Sequence, residues 1–128
     1  MADELAGKTI LLVDDDRDIL TSMKVALEEL GPTIITASDG DRALEQAVEH
    51  HPDLVVLDMM LPKRGGFLVL ANLKEGKQRT DPPRVIMVTG NEGVRHQQYA
   101  ESLGVDRYLK KPFRMERLVE AVQSILLD

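Results

Sequence analysis

The chain has 128 residues, 43% of them hydrophobic, a formal net charge of −6 and no cysteine. This length and composition suit one globular domain with a real core and exclude a disordered segment, while the missing cysteine excludes disulfides, a thiolate nucleophile and zinc–thiolate sites. The acidic balance, with no Lys/Arg stripe interleaved with aromatics, argues against direct nucleic-acid binding, and the absence of a long apolar run or a signal-peptide core in Met1–Lys8 makes a cytoplasmic location the expectation.

Apolar runs alternate with helical patterns along the chain, the signature of a parallel sheet with helices on both faces. A first strand over about Lys8–Val13 leads into Asp14-Asp15-Asp16. Ile19, Leu20, Met23, Ala26, Leu27 and Leu30 then form one apolar helical stripe. Asp16 or Asp18 can cap its start, and Gly31-Pro32 ends it. Thr33–Ala37 reads as a short β-branched strand. Ser38-Asp39-Gly40-Asp41 turns into a helix marked by Ala43, Leu44, Ala47 and Val48, which His51-Pro52 closes. Leu54-Val55-Val56-Leu57 is a strand that ends at Asp58. Pro62 and Gly65-Gly66 form a loop before a helix over Phe67–Glu75, and Gly76–Pro83 is a polar connection. Val85-Ile86-Met87-Val88 runs into Thr89, followed by Gly90-Asn91-Glu92-Gly93 and a helix to about Leu103. Gly104 caps that helix, Val105–Leu109 is the fifth strand before Lys110-Lys111-Pro112, and Leu118, Val119, Val122, Ile125 and Leu126 mark a last helix. Five strand–helix units fill residues 1–128, read as a single domain with a seven-residue N-terminal extension and no second domain.

In an open parallel sheet, ligands bind at the carboxyl ends of the strands where the strand order reverses. Asp14, Asp15, Asp58, Thr89 and a lysine after the fifth strand would then converge on one edge. Three carboxylates, a hydroxyl and an ammonium suit a divalent cation and a phosphoryl group. Each residue also has a plainer reading. An aspartate cluster after a strand is often a helix cap with solvated neighbours; Asp16 fits that role, and Asp18 adds favourable charge to the first turn. Arg17 is either a solvated helix-start residue or part of the site's mouth. Strand alternation points the adjacent Lys110 and Lys111 in opposite directions, so only one of them can face this edge. His50 and His51 sit at a helix end and His96 on the fourth helix, none at metal-ligand spacing.

The acidic run after the first strand, Asp-Met-Met-Leu-Pro from Asp58, Thr89 after the fourth strand and Tyr-Leu-Lys-Lys-Pro-Phe from Tyr108 match in order and spacing a known pattern. Over essentially its whole length the chain resembles a response-regulator receiver domain of two-component signalling, similar to the chemotaxis regulators. The resemblance implies a flavodoxin-like doubly wound sheet of five parallel strands in the order 2-1-3-4-5, with five helices. It implies that Asp58 is the phosphoacceptor and that Mg2+ is held by Asp14, Asp15, Asp58 and the backbone carbonyl of Met60. Thr89 and Lys111 would assist phosphoryl transfer, and Thr89 with Tyr108 would form the switch, Tyr108 rotating inward as the loop after the fourth strand closes between Gly90 and Gly93. The implied partners are a sensor histidine kinase or histidine phosphotransfer protein, and an output partner or a second copy at the face of the fourth helix, fifth strand and fifth helix, near His96, Tyr99, Tyr108 and Arg114. Such a chain is a signalling switch that catalyses its own phosphorylation and dephosphorylation more than a turnover enzyme. Met60 and Asn91 occupy positions that tune these rates in the family; Met60 puts an apolar group where a polar one is common, which implies a long-lived phosphoryl state.

Three alternatives stand beside this reading. A phosphatase of the haloacid dehalogenase type would use Asp14 as nucleophile in an Asp-x-Asp pattern, with Thr89 and Lys111 in support, but it leaves Asp58 idle and lacks a later acidic pair. A flavodoxin-like cofactor binder lacks a Ser/Thr/Gly phosphate loop and would place acids against a flavin phosphate. A receiver that only binds partners conflicts with the intact Asp14, Asp15, Asp58, Thr89 and Lys111.

Overall fold

The computed structural model describes residues 3–90 and 94–127. The elements run β1 Thr9–Val13, α1 Arg17–Glu28, β2 Thr33–Ala37, α2 Gly40–His50, β3 Leu54–Asp58, α3 Gly66–Lys74, β4 Arg84–Thr89, α4 Val94–Ser102, β5 Arg107–Lys110 and α5 Met115–Leu126. All pairings are parallel, in the order β2-β1-β3-β4-β5. The order reverses between β1 and β3, so a crevice opens at their carboxyl ends.

Side-chain alternation along the central strands divides the core into two layers. Ile10, Leu12, Leu54, Val56, Ile86 and Val88 pack on one face against Met23 and Leu27 of α1 and Leu118, Val122 and Ile125 of α5. Leu11, Val13, Val55, Leu57, Val85 and Met87 pack on the other against Ala43 of α2, Val69, Leu70 and Leu73 of α3 and Ala100 of α4. Both faces of β1, β3 and β4 are therefore committed to burial, and a one-residue slip of register would exchange the layers.

The starts of α1 and α2 are fixed by aspartates. The Asp16 carboxylate accepts from the N–H groups of Asp18 (2.9 Å) and Ile19 (3.3 Å), which settles the cap of α1 on Asp16. Asp39 accepts from the Arg42 N–H at 2.7 Å and caps α2. Gly31 and Gly104 adopt the left-handed conformation beyond α1 and α4, with φ of 89° and 99°, as expected of helix ends. Among the described residues no helix is long and apolar enough to cross a membrane.

Two expectations change in substance. β5 begins at Arg107 and not Val105, because the Val105 N–H still closes on the Ala100 carbonyl at 3.2 Å. Asp106 then caps the start of β4 by accepting the Val85 N–H on its carboxylate at 3.1 Å. The segment read as an extension contains a core residue: Leu5 is fully buried with the α1–α5 layer, and its N–H donates to the Leu30 carbonyl at 2.8 Å.

At the amino end of β4, the polar connection wraps around a buried lysine. The Lys74 ammonium donates to the carbonyls of Arg79 (3.1 Å), Asp81 (2.7 Å) and Pro83 (3.1 Å) and is 5% exposed. Burial holds its pKa below the usual lysine value, against the pull of Asp106 and Asp81. Lys74→Met strands three carbonyls and should destabilise the chain by about 2–3 kcal/mol. Urea unfolding of this variant beside the exposed-site control Lys24→Met checks this; equal midpoints would remove Lys74 as an organiser of the connection.

Candidate functional site

Each strand that ends at the crevice delivers one polar side chain. Asp14 follows β1 and is 1% exposed; Asp58 is the last residue of β3 and 3% exposed; Thr89 ends β4 and is fully buried. Lys111 follows β5, where its N–H donates to the Thr89 carbonyl at 2.7 Å. Its ammonium lies 2.9 Å from Asp14 Oδ2 and 3.6 Å from Asp58 Oδ1, whereas Lys110 is exposed. The Lys111–Pro112 peptide is cis.

Asp14, Asp15 and Asp58 offer carboxylate oxygens that all lie within 4.8 Å of one another. Asp15 is exposed at the rim, and Asp14 is oriented by the Asp16 N–H on its Oδ1 at 2.9 Å. Three carboxylates face one ammonium, so negative charge is in excess. Burial, then the charge of Asp14, pushes the Asp58 carboxyl up to about 6, against the pull of Lys111 and of the Met60 N–H, while Asp15 adds to the rise. Burial opposes the charge on Lys111, but its bond to Asp14 and the charge of Asp58 outweigh it and raise the ammonium's pKa. An oxygen-only donor set with surplus negative charge fits a hard divalent cation.

The loop after Asp58 is held by close backbone packing. The Met60 N–H points at Asp58 Oδ1 at 3.4 Å, and the Met60 side chain is 67% exposed at the mouth. The Gly66 N–H donates to the Met59 carbonyl at 2.8 Å, and a Cβ on Gly66 would collide with the Asp58 carbonyl and the Met59 backbone. Only glycine lets α3 begin this near the end of β3,. The Gly65-Gly66 pair was the visible signal; the contact partner was not. Arg17 is exposed, as a solvated helix-start residue would be.

The Thr89 hydroxyl points toward the Met59 sulfur at 3.7 Å. Tyr108 packs on the layer beneath α2, α3 and α4, and its hydroxyl is buried without a hydrogen-bond partner among the described residues. Burial raises the phenol's pKa. Asn91 and Gly93, of the loop between them, lie outside the described residues. Sequence spacing missed an aromatic group joining α3 to α4: Phe67 stacks on His96 at 5.9 Å and meets Tyr99 edge-on at 5.0 Å.

Comparison with known proteins decides the family. A family model described as response regulator receiver domain matches residues 10–123. The chain belongs to that family. It is 39% identical over 120 residues to the alkaline phosphatase synthesis transcriptional regulatory protein PhoP of Bacillus subtilis, covering 94% of this chain and 49% of that protein. Protein PilG of Pseudomonas aeruginosa is 30% identical over 124 residues, covering 97% of this chain and 91% of PilG. A CheY-like receiver domain protein from Methanospirillum hungatei superposes with a TM-score of 0.82 at 30% identity over 93% of each chain. Chemotaxis protein CheY4 of Vibrio cholerae gives 0.84 at 27% identity over 94% of this chain and 100% of that one. The chain thus spans about half the length of PhoP and of several other curated relatives, and nearly all of PilG.

The chain is therefore a receiver domain of two-component response regulators, a module of phosphorylation-dependent signalling with the CheY-like, flavodoxin-like fold. Receiver domains bind Mg2+ at an acidic pocket, and the acidic pocket of this receiver is the Asp14, Asp15 and Asp58 cluster. The phosphatase alternative finds no support in these comparisons.

The raised Asp58 pKa makes metal-free stability depend on pH. The folded receiver binds the Asp58 proton more tightly than the unfolded chain, so this contribution is full below the ordinary value near 3.8 and is lost as pH rises through about 6,. Two units correspond to about 3 kcal/mol. In EDTA, Asp58→Asn should match the wild type near pH 4 and exceed its stability above pH 7 by up to about 3 kcal/mol. Urea unfolding at the two pH values checks this, and parallel pH profiles would show that Asp58 carries no buried charge.

Proposed function

We propose that Asp58 accepts the phosphoryl group, and one observation carries this reading: Lys111 reaches from beyond β5 to both Asp14 and Asp58 across the crevice. A carboxylate and a phosphate repel each other, so transfer to Asp58 needs charge neutralisation and alignment above all. An Asp58 oxygen attacks phosphorus, and an acyl phosphate forms. The bond to the donor breaks, with its electron pair leaving on the histidine nitrogen of a kinase or phosphotransfer protein, or on acetate from acetyl phosphate. Lys111 faces the transferring group with its ammonium, and Thr89 offers a hydroxyl to a phosphoryl oxygen. Asp14, Asp15, Asp58 and the Met60 carbonyl would hold Mg2+, which when bound supplies the two positive charges the carboxylates lack. The same residues would serve hydrolysis of the acyl phosphate, making the chain a switch that catalyses its own phosphorylation and dephosphorylation.

In this reading, Thr89 drawn toward the phosphoryl group biases Tyr108 and the α4–β5–α5 face between two packings. A hollow of about 660 Å3 beside Tyr108, lined also by Phe113, Arg114 and Arg117, offers that face a docking place. An output partner or a second copy would use it. Residues 1–128 act as one receiver in the cytoplasm, phosphorylated by a sensor histidine kinase or phosphotransfer protein. The transcriptional roles in the names of PhoP and of RpaA from Synechocystis belong to those longer proteins; a net charge of −6 argues against this chain itself touching nucleic acid,.

Intact-mass spectrometry after incubation with acetyl phosphate and Mg2+ tests the assignment. The wild type should gain one phosphoryl group, Asp58→Ala none, and Asp14→Ala and Lys111→Ala far less; uptake by Asp58→Ala that Asp14→Ala abolishes would make Asp14 the nucleophile. The exposed apolar Met60 gives an attacking water little orientation, so the phosphoryl state should outlast seconds by a wide margin. Following the mass after donor removal measures this, and a lifetime of seconds would discard the role given to Met60.

A further inference from the structure

On the flank away from the output face, α2 and α3 enclose a groove of about 690 Å3. Leu44 and Val48 of α2 and Leu73 of α3 form its apolar walls, and Val48 stands 74% exposed at the lip. The charged lining is of one sign: Arg64 and Lys77 border the groove beside His51 and Asn72, and no acidic side chain does. In a chain of net charge −6 that is a local reversal. Arg64 is partly neutralised, its Nε donating to Asp41 at 3.0 Å. Lys77 is not: its ammonium donates to the Pro82 carbonyl at 3.1 Å, which holds it at the groove's end, and among the described residues no carboxylate forms an ion pair with it.

From this complementarity we infer that the α2–α3 groove is a binding site for a small amphipathic carboxylate. Its acyl or aryl body lies between Leu44, Val48 and Leu73, and its carboxylate meets Lys77. The size suits a small molecule, since such sites run about 300–1,000 Å3. Burying the apolar body supplies the driving force. The partly exposed ion pair supplies orientation and a modest preference for the anion. The site shares no residue with the phosphorylation pocket, so it stands or falls apart from the function proposed above.

The test is an NMR titration of the amide resonances with octanoate, and separately with octanol, which has the same tail and no charge. Octanoate should give saturable shifts confined to α2, α3, residues 51–52 and residues 76–83, with a dissociation constant on the order of 1 mM. Octanol should bind about threefold to fivefold more weakly. Lys77→Gln should bring octanoate down to the level of octanol, and Val48→Asp, at an exposed position that leaves the fold intact, should abolish both. Equal binding of the two probes, shifts elsewhere, or none would overturn the assignment. Groove shifts that grow with protein concentration in the absence of either probe would overturn it too, by showing that a second copy occupies the groove.

Discussion

Lys111 stands 2.9 Å from Asp14 and 3.6 Å from Asp58, and this one ammonium is the charge around which the receiver's working edge is arranged. A buried ion pair is weak evidence for stability, because desolvation offsets much of the attraction. Here the balance is worse than for a simple pair, since two buried carboxylates and a third at the rim compete for one cation. Lys111 cannot satisfy them all, and the raised pKa of Asp58 records the shortfall. The arrangement therefore costs folding free energy in the metal-free chain. What it offers in return is a pocket with standing attraction for a divalent cation.

The frame that tolerates this cost is apolar. β1, β3 and β4 are buried on both faces, so each strand end is fixed by packing on two sides before any polar group is placed,. The loop after Asp58 is positioned in the same manner. Its ion pairs, Lys63 with Asp39 at 3.7 Å and Arg64 with Asp41 at 3.0 Å, are largely exposed and contribute little. The tighter constraints are steric. Gly66 abuts the Asp58 backbone, and Gly40 abuts Arg64 so closely that a side chain on either would force the loop away. The Gly40 N–H also donates to the Pro62 carbonyl at 3.2 Å. Close backbone approach, and not surface charge, sets where Asp58 sits relative to α2 and α3.

Much of this was legible in the sequence, for identifiable reasons. The strands could be read because burial on both faces makes them near-continuous apolar runs, and those runs end at Asp14, Asp58 and Thr89. Lys111 was separated from Lys110 by the family pattern of a lysine before proline, with strand alternation turning its neighbour the other way. What could not be read depends on tertiary partners. Leu5 lies in a polar segment, and only the folded chain shows that it fills the α1–α5 layer. Lys74 resembles any lysine in the last turn of a helix until the connection folds its carbonyls onto it. β5 looked two residues longer at its start because Val105 is β-branched and apolar like a strand residue, while the hydrogen bonds of Val105 and Asp106 go to Ala100 and Val85. The contact of Phe67 with His96 and Tyr99 joins two helices across β4 and has no local sign at all.

The two edges of the sheet treat buried charge in opposite ways, and the contrast separates working groups from structural ones. Asp106 at the amino end of β4 and Asp58 at the carboxyl end of β3 have side chains only 2% and 4% exposed. Burial alone would push both carboxyls up. For Asp106 the bonds from Arg84, the Val85 N–H and Arg79 outweigh burial and hold its carboxyl below the usual range. Its charge is fully met, and nothing further is required of it. Asp58 meets a neighbouring carboxylate, a shared ammonium and one long N–H contact, and its carboxyl rises to about 6. With residue type and burial nearly equal, the difference lies in whether the fold supplies partners for the charge. At the amino edge it supplies them; at the carboxyl edge it withholds them, which leaves Asp58 with unmet demand for a cation,.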